Sequence, residues 1–209
     1  MKSKWFVAVC LLCCELTILL ILIPGDWTKK QIIKESQYIT RTLGEDTHAW
    51  IKNKADYFYK KTILDSGLYD ETLRVLIPSA EERRKSRGME NMGSDWFKWI
   101  GGRVDALAQS IYQFYARVAL VMVWLPYMAI LFVPAIFDGY MTWLVKRSNF
   151  DYASPVLHRY AARAIGLIPV LGLALFLAPM AIDSLIVPMG MMLMCVMLGL
   201  AFGNVQKRI

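Results

Sequence analysis

Four apolar runs organise the chain: Trp5–Ile23, Val118–Phe137, Ala164–Ile182 and Leu185–Phe202. Each carries at most one charged residue, and a helix of about 20 apolar residues crosses the hydrocarbon core of a bilayer. The pattern predicts an all-α integral membrane protein with four transmembrane helices. The first run is longer than the usual h-region of a signal peptide. No small-x-small cleavage site follows it, and "IPGDW" at 23–27 is bulky, so it reads as an uncleaved anchor. The last two runs form a hairpin through "APMAIDSLIVP", where Pro179 and Pro188 loosen the helix ends and Asp183 marks the turn. A pair of re-entrant segments is the alternative for this hairpin.

Between the first two runs the pattern changes to amphipathic helices. Thr28 with Gln31 gives a capping-box spacing ahead of "KKQIIKESQYITRTL". Past Gly44, Asp46 or Thr47 can cap a second helix, on which Trp50, Tyr57 and Leu64 recur every seven residues beside Ile51 and Phe58. Lys52, Lys54, Lys60 and Lys61 occupy its other faces. The stripe reads as packing against neighbouring helices. Contact with anionic headgroups is the next reading, and nucleic acid comes last, because no nucleic-acid motif accompanies the charge. Gly67 is placed to end this helix, "LYDETLRVLIP" gives a short third one, and Ser79 with Glu82 caps a further turn. From Ser94 one long helix is expected to run into the second apolar run. Gly101-Gly102 would permit a bend in it, and Trp96, Trp99, Tyr112 and Tyr115 supply rings of the kind found at headgroup level.

Composition agrees only if charge is segregated: the chain is 56% hydrophobic yet 20% charged, with a net charge of +7. The N-terminus, the 138–163 segment and the C-terminus together hold eight basic residues against two acidic ones. Region 24–117 holds 16 basic and 13 acidic. By the positive-inside rule both termini and the 138–163 segment lie in the cytoplasm, and 24–117 forms a helical extramembrane domain in the periplasm. The expected layout is an anchor at 1–23, the periplasmic domain at 24–117, a span at 118–137, a cytoplasmic amphipathic elbow at 138–163, and a membrane hairpin with a basic tail at 164–209. The location is a bacterial inner membrane.

Little in the chain offers chemistry. No P-loop, H-E-x-x-H or G-x-S-x-G pattern occurs. Cys10 and Cys13 spell C-x-x-C, but inside an apolar run rather than near a βαβ unit, so with Cys14 and Cys195 they read as packing residues. His48 and His158 are far apart in sequence and fall on opposite sides of the membrane in this topology. No metal, cofactor or catalytic site is expected, and the protein reads as a non-enzyme. Glu15, midway along the first run, is an ionisable group at membrane depth and a functional candidate by default. A helix-interface or partner-docking role is one reading. The rival is a small ion or proton transporter or channel that uses Glu15 and Asp183.

The densest segment is "PAIFDGYMTWLVKRSNFDYASPVLHRY" at 134–160. Asp138-Gly139 is expected to stop the second span, and Tyr140, Met141, Trp143, Leu144 and Val145 to lie on a short surface helix. Lys146 and Arg147 then sit at headgroup level. Ser154-Pro155 is an N-cap and first-turn pair for a helix through His158, Arg159 and Arg163. His158 could bond Asp138 or Asp151. An amphipathic connector and a docking elbow gripped by a partner are both compatible with these residues.

The "PAIFDG" span end, the basic pair and "FDYASPVLHRYAARA" resemble the signature loop of an unknown-function family of inner-membrane proteins from conjugative plasmids and integrating conjugative elements. Pro134, Asp138, Gly139, Lys146, Arg147, Ser154 and His158 carry the resemblance, over about 30 residues. Lys146-Arg147 stands where such families use two arginines. The resemblance implies a non-enzymatic part of a conjugative type IV secretion apparatus. Such proteins are similar to the membrane partner of the coupling ATPase, the motor that passes the relaxase–DNA complex to the channel. It makes Asp138, Gly139, Trp143, Lys146, Arg147, Ser154, His158 and Arg159 the docking candidates. Membrane lipids and further copies of the chain are the other partners expected, and no sequence-specific nucleic-acid binding is.

Overall fold

A computed structural model describes residues 25–78, 94–149 and 151–205, together with residues 10, 13, 14 and 17 of the first apolar run. Most of that run, including Glu15, lies outside the described residues, as do the Ser79–Glu82 turn and the last four residues. The described residues form six α-helices and no strand. They are α1 (Gly25–Leu43), α2 (Glu45–Tyr59), α3 (Leu68–Leu76), α4 (Ser94–Ser148), α5 (Pro155–Leu177) and α6 (Ile186–Gly203). A π-helical turn, Lys60–Leu64, continues α2. Three of these helices, α4, α5 and α6, are long and apolar enough to cross a membrane. Much of their apolar surface is exposed, at Ile130, Val133, Leu167 and Val196 among others. This is a membrane protein.

The chain divides into two compact units. The first contains α1, α2, α3, the stretch of α4 up to Ala119, and the segment Phe176–Ile182. Its local signals differ from those expected. Helix α1 begins at Gly25, upstream of the capping-box pair. Thr28 is instead fully buried with no hydrogen-bond partner for its hydroxyl among the described residues. The Gln31 side-chain oxygen accepts the backbone N–H of Ala181 at 3.1 Å. Helix α2 starts directly after Gly44, so neither Asp46 nor Thr47 caps it. Gly44 turns the chain at φ 86°, a conformation open to glycine at little cost. Gly67, expected to end the second helix, lies two residues past Asp65, which caps that end; at φ 69° it turns the chain into α3.

The aromatic heptad faces the other way. Trp50, Tyr57 and Leu64 are 41%, 57% and 51% exposed, while Ile51, Ala55 and Ile63 are buried. The inward row falls at multiples of four residues along the helix. The wider π turn keeps Ile63 on that inward row. The outward row alternates rings with lysines, and Lys54 stacks over Trp50 at 5.7 Å.

The second unit contains α4 from Leu120, α5 up to Leu175, and the chain from Asp183 onward. The expected helix stop at Asp138-Gly139 is absent: α4 runs unbroken through both residues to Ser148. Its 55 residues are well over twice the about 20 that a span requires. The reason lies in packing. Ala135 and Gly139 of α4 meet Gly199 and Gly203 of α6, and a Cβ added at Gly139 would sit 2.8 Å from the Gly199 carbonyl oxygen. Two small-x-x-x-small pairs let the backbones touch, as at membrane helix crossings. Gly139 is therefore a packing residue inside a helix, where its cost of about 1 kcal/mol relative to Ala is offset by this close approach.

Helix α5 ends at Leu177, earlier than the predicted Ile182, and residues 178–183 form a non-helical strap. Asp183 then accepts the backbone N–H of Leu185 at 3.0 Å and closes the turn into α6.

Candidate functional site

Two polar clusters stand out, one in each unit. The first was not among the residues singled out in the sequence. Arg117 is 2% exposed and Glu35 4% exposed. Arg117 Nε donates to Glu35 Oε1 at 2.9 Å and Nη2 to Oε2 at 2.9 Å, a bidentate fork. Nη1 donates to the carbonyls of Phe176 and Ala178, each at 2.8 Å, and Nη2 also donates to that of Met180. Gln113 Nε2 donates to Glu35 at 2.5 Å and to Met180 O at 3.2 Å. Trp27 Nε1 donates to Pro179 O at 3.2 Å. Leaving the helix at Leu177 exposes carbonyls, and a buried carbonyl must be bonded. Arg117, Gln113 and Trp27 bond them one after another along the strap. The cluster is a latch holding segment 176–182 to α1 and the lower part of α4 in the first unit. Elsewhere in that unit Tyr69 donates to Asp105 at 2.6 Å, and this bond, with burial, pushes its phenol up to about 12.

The signals were present in the sequence. Glu35 occupies a core position of the row Thr28, Ile32, Glu35, Ile39 on α1, where an unpaired charge would be costly. Arg117 directly precedes the second apolar run. A charge at each place asks for a partner, and they are one another's.

The second cluster gathers part of the predicted elbow. Ser154 caps α5, its Oγ accepting the Leu157 N–H at 3.3 Å, as its N-cap position implied. One turn on, His158 does not meet Asp138 or Asp151 as expected; its Nδ1 lies 2.9 Å from the carbonyl oxygen of Ala201. Lys146 Nζ donates to Gly203 O at 3.1 Å and to Asn204 Oδ1 at 3.0 Å. The Ser154 backbone N–H reaches the same oxygen at 3.4 Å, and Asn204 Nδ2 donates to Leu200 O at 2.9 Å. The carbonyls at a helix C-terminus lack partners and carry partial negative charge. Lys146, His158 and Asn204 satisfy them at the end of α6. Asn204 was missed, although an Asn just past Gly203 is a C-terminal signal.

The remaining predicted residues point elsewhere. Tyr140, Trp143 and Arg147 share one face of α4, with the two rings stacked at 6.0 Å and the Arg147 guanidinium 5.4 Å over Trp143. Arg147 and Arg159 are exposed, and Tyr140 is 49% exposed. Asp138 lines a groove between α4 and α6. The elbow thus divides into an inward set (Gly139, Lys146, Ser154, His158) and an outward one (Tyr140, Arg147, Arg159), with half-buried Trp143 between Tyr140 and Arg147 on the same helix face. Among the described residues no group of acidic, cysteine or histidine side chains is arranged to hold a metal ion. The described cysteines are free thiols, with Cys195 buried on α6 and Cys10, Cys13 and Cys14 exposed.

Residues 27–208 fit the model of the DtrJ-like family, described as "IncC plasmid conjugative DNA transfer protein DtrJ-like". No curated protein and no solved structure matches the chain.

Proposed function

The chain belongs to the DtrJ-like family of conjugative DNA-transfer proteins, and on that premise we propose that it is a non-catalytic inner-membrane component that holds the coupling ATPase at the transfer apparatus. A role in conjugation comes with the family. The coupling ATPase as partner is our reading, and the observation that carries it is the division of the elbow. The basic side chains Lys146 and His158 close the end of α6, and the Ser154 hydroxyl caps the start of α5. What this segment offers to other molecules is a ladder of rings and guanidinium, Tyr140–Trp143–Arg147, exposed at Tyr140 and Arg147 and half-buried at Trp143, with exposed Arg159 in the same elbow. Aromatic residues and arginine are the types enriched at the energetic centres of protein interfaces. We further place this elbow and both termini in the cytoplasm, where the motor works. The latch supports that topology, because it joins the strap between α5 and α6 to the domain at 25–117, leaving both on the other side.

The test is affinity purification of the tagged protein from gently solubilised donor membranes. The double substitution Arg147→Glu, Arg159→Glu should insert normally yet lose the coupling ATPase from the eluate. Undiminished recovery of the ATPase with the double variant, or its absence from the unsubstituted protein, would refute the reading.

A further inference from the structure

The second unit contains a groove of about 610 Å³ between α4 and α6. Its length is apolar, through Leu131, Met192 and Val196, and its floor includes the small residues Ala135 and Gly199. One end is polar, with Asp138 and Thr142 one helical turn apart on α4. Asp138 is exposed there and has no hydrogen-bond or ion-pair partner among the described residues. Lys146 also borders that end, but its ammonium is engaged with Gly203 and Asn204.

We propose that this groove seats one transmembrane helix of a partner protein, with small residues on its contacting face and a Lys or Arg at its cytoplasmic end. The choice of occupant follows from charge and shape. A carboxylate at the mouth repels the phosphate of an anionic lipid and attracts a cation. The cytoplasmic ends of membrane helices carry an excess of Lys and Arg. A floor of Ala135 and Gly199 lets a helix backbone approach closely, which is how small residues promote helix association where apolar burial supplies no drive. An acyl chain would use the apolar length but leave Asp138 unanswered. The inference deepens the function proposed above, on which it rests for the partner's identity. It adds a contact within the membrane to the one at the outward ladder.

A photo-reactive side chain placed at Val196, which lines the groove, tests this in donor membranes against one at Val133, exposed on α4 and not among the groove residues. The expected result is an adduct between position 196 and a transmembrane segment of the coupling ATPase, with none from position 133. Asp138→Lys should reduce that adduct by about tenfold or more, since it removes one member of a charge pair and adds repulsion. Asp138→Glu should preserve it, and so guards against a folding defect in the Lys variant. Adducts with lipid alone, with a second copy of this chain, or equally from both positions would overturn the proposal, as would insensitivity to Asp138→Lys. If the adduct is missing while Arg147→Glu, Arg159→Glu still releases the ATPase, the groove assignment falls and the function stands. If that pair also retains the ATPase, both fall.

Discussion

A guanidinium with almost no contact with solvent must have its N–H groups bonded, and Arg117 makes at least five such bonds, two of them to Glu35. Burying the pair is a poor source of net stability, but removing one member leaves an uncompensated charge, at about 3–5 kcal/mol. Arg117→Ala and Glu35→Ala should each lower the unfolding free energy by about that amount in denaturant titrations of the detergent-solubilised protein. Combining Glu35→Leu with Arg117→Met should cost less than the sum of the two alanine variants, because no charge is then stranded. Additive losses would mean that the residues act separately. At this scale the sequence was partly legible. Ser154 as an N-cap and Gly67 as a break between helices could be read because each acts within its own turn of chain. Arg117 meeting Glu35 could not, because the pairing is fixed by which helix faces lie together across 82 residues of separation. The hint was a charge in an apolar row. It says that a partner exists without saying which.

Among the elements, α4 departs furthest from local rules. Asp-Gly after a long apolar run is a stop signal by local propensity, yet the helix continues because Gly139 lies against the backbone of α6. The paired glycines give a direct comparison. Gly139→Val puts a side chain where a Cβ already meets the Gly199 oxygen at 2.8 Å, whereas a Cβ at Gly172 on α5 meets nothing within 4 Å. Thermal unfolding in detergent should find Gly139→Val destabilised by about 1–3 kcal/mol or more, the usual cost of overpacking. Gly172→Ala should be neutral or slightly stabilising. Equal effects would contradict the tight crossing. The same contrast explains the aromatic stripe of α2. Hydrophobicity alone assigned Trp50, Tyr57 and Leu64 to the interior, but the core there is built on Ile51, Ala55 and Ile63.

For the molecule as a whole, the apolar runs carried most of the architecture. The second run lies within a helix long enough to span, the third and fourth runs supply most of two more, and the described part of the amphipathic stretch before them is mainly helical. Two compact units, with α4 contributing to both, were not legible, because a 55-residue helix contains both a polar-domain pattern and a span pattern. The signature loop was recognisable as a motif, but not the division of labour inside it. Lys146 and His158 look like docking residues in sequence and serve to close the end of α6. That division is the central claim, and conjugative transfer frequency tests it most directly. Donors carrying Arg147→Glu with Arg159→Glu should keep a normal level of inserted protein yet transfer no better than donors lacking the gene. Normal transfer by that variant at a normal protein level would contradict the account.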